Sequence, residues 1–409
     1  MKQKLPFSEV KNFINAKLSL VATISSVQRK FLCNLLITFY TIPFRINFLM
    51  MGRFSTYDEK TYRNYFSSDI DLTTFFHQSL LAKKDKELLF AFDPSFIKKS
   101  GKKTAGLHKF WDGKSQQAAQ GLEVGCLSLI DVEEQTAYHY KAQQTQASTE
   151  NNTLVDQYVK MIIDEKETMK TLSKYVVADG YFMKQKFIQP IKDAGFEVIT
   201  KMRSDANLRE IYVAPASTIK AKGRPKTCGD KIDLKKFDAN TWTTIEIDKD
   251  NEKMTAAYEK LVYCVALKMN VKVVIFLPKN TKEKVILLST NTTLFGTKII
   301  EYYSLRFQIE FLIRDAKQFG GLEDCQARDS KKLNFHFNAA LGSISIAKLT
   351  MWSNKENKKD LPFSMYNIKQ QYHNKFIVDA IFSKLDIDLN CQKIIDIYNQ
   401  TIDIGSIAA

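Results

Sequence analysis

Four residues in the segment YYSLRFQIEFLIRDAKQ (302–318) combine a phenol, two cations and a carboxylate. At about 100° per residue, Tyr303, Arg306, Glu310 and Lys317 fall within roughly 60° of one another on a helix surface. Leu305, Ile309, Leu312, Ala316 and Phe319 gather on the opposite side, and Phe307, Phe311 and Ile313 border the polar line. Such a pattern suits a solvated stripe, or a helix half-sunk in a core with its polar line facing a cleft. Two more acids follow short apolar runs: Asp93 after LLFAF (88–92), and Asp179 inside KYVVADGYF (174–182). A lone aspartate there is usually a turn or cap residue. Two become informative if their strands are neighbours and Glu310 points between them. Three carboxylates aimed at one point repel each other unless a cation lies among them. Mg²⁺ takes hard oxygen ligands, and a pair of such ions suits in-line phosphoryl displacement. Acids would then hold metal and nearby bases would hold phosphate.

Other signals are weaker. Lys98, Lys99, Lys102 and Lys103, in SFIKKSGKKT just after Asp93, could contact a nucleic-acid backbone or form a solvated loop. Gly101-Lys102 and DGKS (112–115) lack the upstream glycine of a phosphate loop, which argues against a nucleotide cofactor. KAKGRPK (220–226) resembles a minor-groove hook, yet Gly-Arg-Pro also simply makes a turn. Trp111 and Trp242 read as core or turn aromatics rather than base-stacking wedges.

The elements that must position these residues can be read in outline. Residues 1–82 are helical, with a cap and turn near RFSTYDEKTYRNYF. LLFAF is a buried strand expected to stop at Asp93-Pro94, since proline cannot continue a central ladder. Two strands at 121–130 and 136–142, a helix over 150–173, a buried strand ending at Asp179-Gly180, a helix over 183–194 and a strand at 196–200 follow. Residues 205–288 change to short β runs (IYVAP, TWTTIEID, LVYCVALKM, VKVVIFLP, KVILLST), then helix returns with the opening segment and FNAALGSISIAKL. The order resembles the ribonuclease H-like arrangement, an α/β fold whose mixed sheet begins with a three-strand meander.

The spacing Tyr303-x2-Arg306-x3-Glu310-x6-Lys317 resembles the Tyr-Arg-Glu-Lys signature of bacterial insertion-sequence transposases with an Asp-Asp-Glu triad. ADGYF resembles the family's second-Asp motif and FDPSFIKKSGKKT the region of its first. The resemblance spans about residues 85–345. It implies Asp93, Asp179 and Glu310 as catalytic ligands of two Mg²⁺ ions, with Mn²⁺ able to substitute. It implies Tyr303, Arg306 and Lys317 as contacts to DNA phosphates, and double-stranded DNA (element ends and target) as substrate. A homodimer and cut-and-paste chemistry follow from the same likeness. The expected domains are a helical end-binding region (1–82), a catalytic domain in two parts (83–204 and 289–350), a β-rich insertion (205–288) and a helical C-terminal region (351–409). A ribonuclease H-like nuclease without strand transfer, or a silent DNA-binding descendant, are the alternatives.

Composition agrees with a polyanionic partner. The 409 residues hold 60 Lys and Arg against 45 Asp and Glu, a formal charge of +15. Six scattered cysteines and five histidines show neither zinc spacing nor a disulfide framework, so a reducing cytoplasm is expected. The most apolar stretch, 31–51, is interrupted by Pro43, Arg45 and Asn47, and reads as a broken helix pair rather than a membrane span.

Overall fold

The computed structural model describes residues 7–212, 228–247, 254–279, 283–353, 362–385 and 391–407. Five helices come first: α1 Phe7–Ser19, α2 Ser26–Thr41, α3 Phe48–Arg53, α4 Glu59–Tyr65 and α5 Leu72–Leu80. Strands β1 Leu88–Lys98, β2 His108–Asp112, β3 Gln117–Asp131 and β4 Thr136–Gln144 follow. Helices α6 Leu154–Asp164 and α7 Lys166–Lys170, strand β5 Tyr175–Ala178, helix α8 Gln185–Asp193 and strand β6 Glu197–Lys201 continue the chain. Then come β7 Leu208–Arg209, β8 Lys231–Ile232, β9 Thr243–Ile245, β10 Met254–Cys264, β11 Met269–Pro278 and β12 Val285–Ser289. The last helices are α9 Gly296–Leu305, α10 Gln308–Gln318, α11 Ser330–Ser353, α12 Met365–Lys384 and α13 Gln392–Ile402. The result is a mixed α/β fold with a large mixed sheet and flanking helices.

The chain forms two compact units, interleaved in sequence. One comprises Met1–Lys86, Pro94–Ser148 and Gln308–Ala409; the other comprises Glu87–Asp93 and Thr149–Phe307. In the first, β3 pairs antiparallel with both β2 and β4. Helix α11 is buried almost all round, with Ala340, Leu341, Ile344 and Ile346 at most 1% exposed. Its Asn338 bonds both the amide and the carbonyl of Ala142, and so clamps α11 to β4. In the second unit the order is β1-β5-β6-β12-β11-β10-β7-β8, with β9 on β10. β1, β5 and β6 are parallel, and β12 returns antiparallel against β6. Phe92 anchors this core against Tyr158, Phe182 and Phe187.

Several boundaries differ from the sequence reading. β1 does not stop at Asp93-Pro94 but runs on to Lys98. Its parallel register with β5 ends at Phe92–Ala178, so Pro94 lies past the last paired residue and its missing N–H breaks no bond to β5. The helix over 150–173 is two pieces, parted at Glu165. LVYCVALKM is no single strand: it spans the end of β10, a turn and Met269, with Lys268 at φ 56° in the turn. Trp111 is not a core residue but 64% exposed on β2, a strand absent from the sequence reading, whereas Trp242 is buried at 7%. The segment KAKGRPK and most of IYVAP lie outside the described residues.

Candidate active site

The parallel pairing of β1 and β5 decides where two of the acids go. Leu88–Phe92 and Val176–Ala178 are buried apolar runs, as expected of strands covered on both faces. Asp93 and Asp179 each stand one residue beyond the last paired positions, Phe92 and Ala178. They therefore occupy matched places where the pairing of the two strands ends, Asp93 within β1 and Asp179 just past β5, spaced about 5 Å apart by sheet geometry. Both are half-buried. Immediately after Asp179 the chain tightens into a 3₁₀ turn, Gly180–Phe182. The Asp179 carbonyl accepts from Phe182 N at 2.9 Å and from Thr200 Oγ1 at 2.9 Å. These two bonds fix the backbone that carries the carboxylate. A side chain on Gly180 would press on the Lys201 carbonyl at 3.3 Å, which favours glycine there.

Helix α9 brings the signature tyrosine to the same place. Its first turn is capped from outside: Glu259 Oε2 accepts from Gly296 N at 2.7 Å, a carboxylate at a helix N-terminus. Further along, Tyr302 Oη donates to Glu87 at 2.7 Å, and Lys298 pairs with Glu87 at 2.8 Å and with Glu301 at 2.8 Å. Tyr302 also packs edge-on against Tyr175 of β5. With that face pinned to Glu87 and Tyr175, the next residue, Tyr303, hydrogen-bonds both Asp179 and Arg306. Burial pushes the Tyr303 phenol up to about 12; the Asp179 carboxylate adds to this and Arg306 opposes it. Asp93, Asp179, Tyr303 and Arg306 thus belong to one compact unit, and three of them form a hydrogen-bonded chain.

The signature does not lie on one continuous helix. The helix is interrupted at Arg306 and Phe307, where the Arg306 amide bonds to the Tyr303 carbonyl in the tighter i→i−3 manner. Neither residue is a helix breaker. α10 then carries Glu310 in its first turn and Lys317 in its last, over the buried Ile309, Leu312, Ile313 and Ala316. Both belong to the other unit. Lys317 Nζ donates to the Phe96 carbonyl of β1 at 2.6 Å and pairs with Glu323 at 3.3 Å. Lys99 is engaged as well: it donates to the Cys325 carbonyl, and burial lowers its pKa. Lys98, Lys102 and Lys103 are exposed. Among the described residues, no group of three or more His, Cys, Asp or Glu side chains is placed to hold a metal ion.

A family profile described as a transposase DDE domain matches residues 84–346. The chain belongs to this transposase family. A search of curated proteins gives no match. The matched region begins just before β1, ends within α11 and includes every expected site residue. As a transposase domain, the chain has DNA for its substrate. Among the described residues, no helix is long and apolar enough to cross a membrane.

Some participants escaped the sequence reading. Glu87, Tyr302 and Lys298 orient α9, but a glutamate before a strand carries no local mark of that role. Tyr302 directly precedes Tyr303 in the chain. Its readable sign was its place on the helix, one residue off the polar line.

Proposed function

We propose that this chain is an insertion-sequence transposase of the Tyr-Arg-Glu-Lys group, performing cut-and-paste transposition on a ribonuclease H-like sheet. The observation that carries this reading is the matched placement of Asp93 and Asp179 just past the last paired residues of parallel β1 and β5, with Tyr303 hydrogen-bonded to Asp179 and to Arg306. The meander β1, β3, β4 followed by parallel β5 and β6 supports the sheet assignment. Two half-buried carboxylates side by side form an all-oxygen donor set, whose mutual repulsion a divalent cation would relieve. Asp93, Asp179 and Glu310 would hold Mg²⁺, or Mn²⁺ in its place. The ions, when bound, lower the pKa of the attacking water and neutralise charge on the phosphate.

The remaining steps belong to the chain's own residues. Tyr303 donates its hydroxyl hydrogen to Asp179 and so fixes the orientation of that carboxylate. Arg306, bonded to the same phenol, presents a planar fork suited to a phosphate oxygen. Lys317 and the exposed Lys98, Lys102 and Lys103 supply further positive charge along the strand to be cut. Water attack on one phosphodiester would free a 3′-hydroxyl, which then attacks a second phosphodiester and releases its 3′-oxygen leaving group. Two copies would hold the two element ends. The helical region 1–82 would recognise those ends, and the strands of 205–288 would flank the DNA, with Lys231, Lys235 and Lys236 exposed on that segment.

The test is strand nicking in Mg²⁺ of duplex DNA carrying the inverted repeats beside the coding region, set against random duplex. Nicks at the repeat boundary, followed by joined products with target DNA, are expected. Nicking without joining would leave only a nuclease. No metal-dependent cleavage of either duplex would overturn the enzymatic reading.

A further inference from the structure

The hairpin of β2 and β3 carries an aromatic side chain, Trp111, that the proposed chemistry does not use. Trp111 is 64% exposed, although Phe110 beside it is buried at 4%. The pleat accounts for this: His108, Phe110 and Asp112 face one side of the strand, and Lys109 and Trp111 face the other. Across the ladder, Trp111 stands opposite Ala118 and Lys109 opposite Gln120, so only a methyl group faces the indole from the partner strand. On that same face, Gln120 Nε2 donates to the Gly101 carbonyl at 3.0 Å and draws in the loop bearing Lys102 and Lys103.

The loop is held at three further points. Lys99 bonds the Cys325 carbonyl, the Ala105 amide donates to the Arg328 carbonyl at 2.8 Å, and Gln144 Nε2 donates to the Ala105 carbonyl at 2.6 Å. From Lys98 to Gly121 the sequence has six lysines and one acid, Asp112. That acid is occupied by its own turn, accepting from Lys114 N and Ser115 Oγ. A pinned, basic surface with a bare indole results.

We infer that this face is a platform for single-stranded DNA, an assignment that rests on the DNA-processing role proposed above. Trp111 stacks on one unpaired base, and Lys102, Lys103 and Lys109 hold the phosphates on either side. A paired duplex would satisfy the lysines but leave the indole without a base face to meet. Stacking tolerates any base, so the platform grips a strand without reading its sequence.

Trp111 also supplies the probe. The chain has three tryptophans, and Trp242 and Trp352 are both more buried. Oligo(dT) of about 15 nucleotides, a length suited to single-strand grooves, should quench tryptophan fluorescence in the full chain. Trp111→Phe should lose the quench yet keep most of the binding read by anisotropy. Trp111→Ala should bind about tenfold more weakly, the low end of what base–aromatic stacking supplies. Replacing Lys102, Lys103 and Lys109 with alanine should lower the salt slope by about 2, near 0.7 per lost contact. Equal affinity of Trp111→Ala and the parent chain, or a blunt duplex that quenches as strongly as oligo(dT), would overturn the platform. So would failure to bind oligo(dT) by a chain that still nicks repeat-bearing duplex, and there the transposase reading would survive. A chain that neither binds nor nicks DNA would lose both.

Discussion

Tyr303 is the residue through which the signature and the second aspartate meet. The family resemblance implies a phosphate contact for it; in the fold its hydroxyl is shared between Asp179 and Arg306. Tyr303→Phe should lower the cleavage rate about tenfold, as expected when a hydrogen bond to a charged group is lost, while leaving end binding nearly unchanged. Rate and binding measured on the same repeat-bearing duplex separate the two effects. Lys317→Ala should act differently. Its Nζ holds the Phe96 carbonyl and pairs with Glu323, so the variant should lose thermal stability as well as weaken end binding. A melting curve unchanged by Lys317→Ala would mean that the Phe96 contact contributes nothing. The types and spacing of these residues were legible because phosphate chemistry demands them. Their hydrogen-bond partners were not, since Asp179 and Tyr303 are far apart in sequence and meet only through folding.

At the scale of elements, α9 is set by long-range contacts that no local pattern announces. Glu87 receives both Tyr302 and Lys298, and the burial of Tyr302 helps push its phenol well above the usual range. Glu87→Ala should therefore slow cleavage by releasing α9, with Glu87→Gln restoring much of the rate because it still accepts from Tyr302. If Glu87→Ala cleaved at the parent rate, α9 would need no such anchor. Phe92→Ala, which empties a fully buried ring site between Tyr158, Phe182 and Phe187, should cost about 3–5 kcal/mol by denaturant titration. Buried strands such as β1 and β5 were readable as apolar runs. The continuation of β1 past Pro94 was not, because whether a proline breaks a ladder depends on what lies beside it. The break at Arg306–Phe307 has no Gly or Pro to mark it, and β2 is too short and polar to stand out.

For the whole molecule, buried bases set the acid limit. His139 and His336 lie fully inside, and burial lowers them to about 3 and about 4. The unfolded chain binds protons to both near pH 6.5, so their contribution is complete above that pH and fades as pH falls, to about 4 for His336 and about 3 for His139. Melting temperature should drop steadily over that window, and His336→Gln should flatten the decline. Charge and length pointed correctly to a large basic protein with a nucleic-acid substrate. The division into two units was hidden, since each is assembled from segments far apart in the chain. We propose that Asp93, Asp179 and Glu310 act as a single catalytic group. Single-turnover cleavage of repeat-bearing duplex in Mg²⁺ by Asp93→Asn, Asp179→Asn, Glu310→Gln and the three double variants tests it most directly. Each single change should abolish cleavage while retaining end binding, and no double should be worse than its parents, because residues that act as a unit are not additive. Near-normal cleavage by any one of the single variants would show that the three carboxylates do not act as one group.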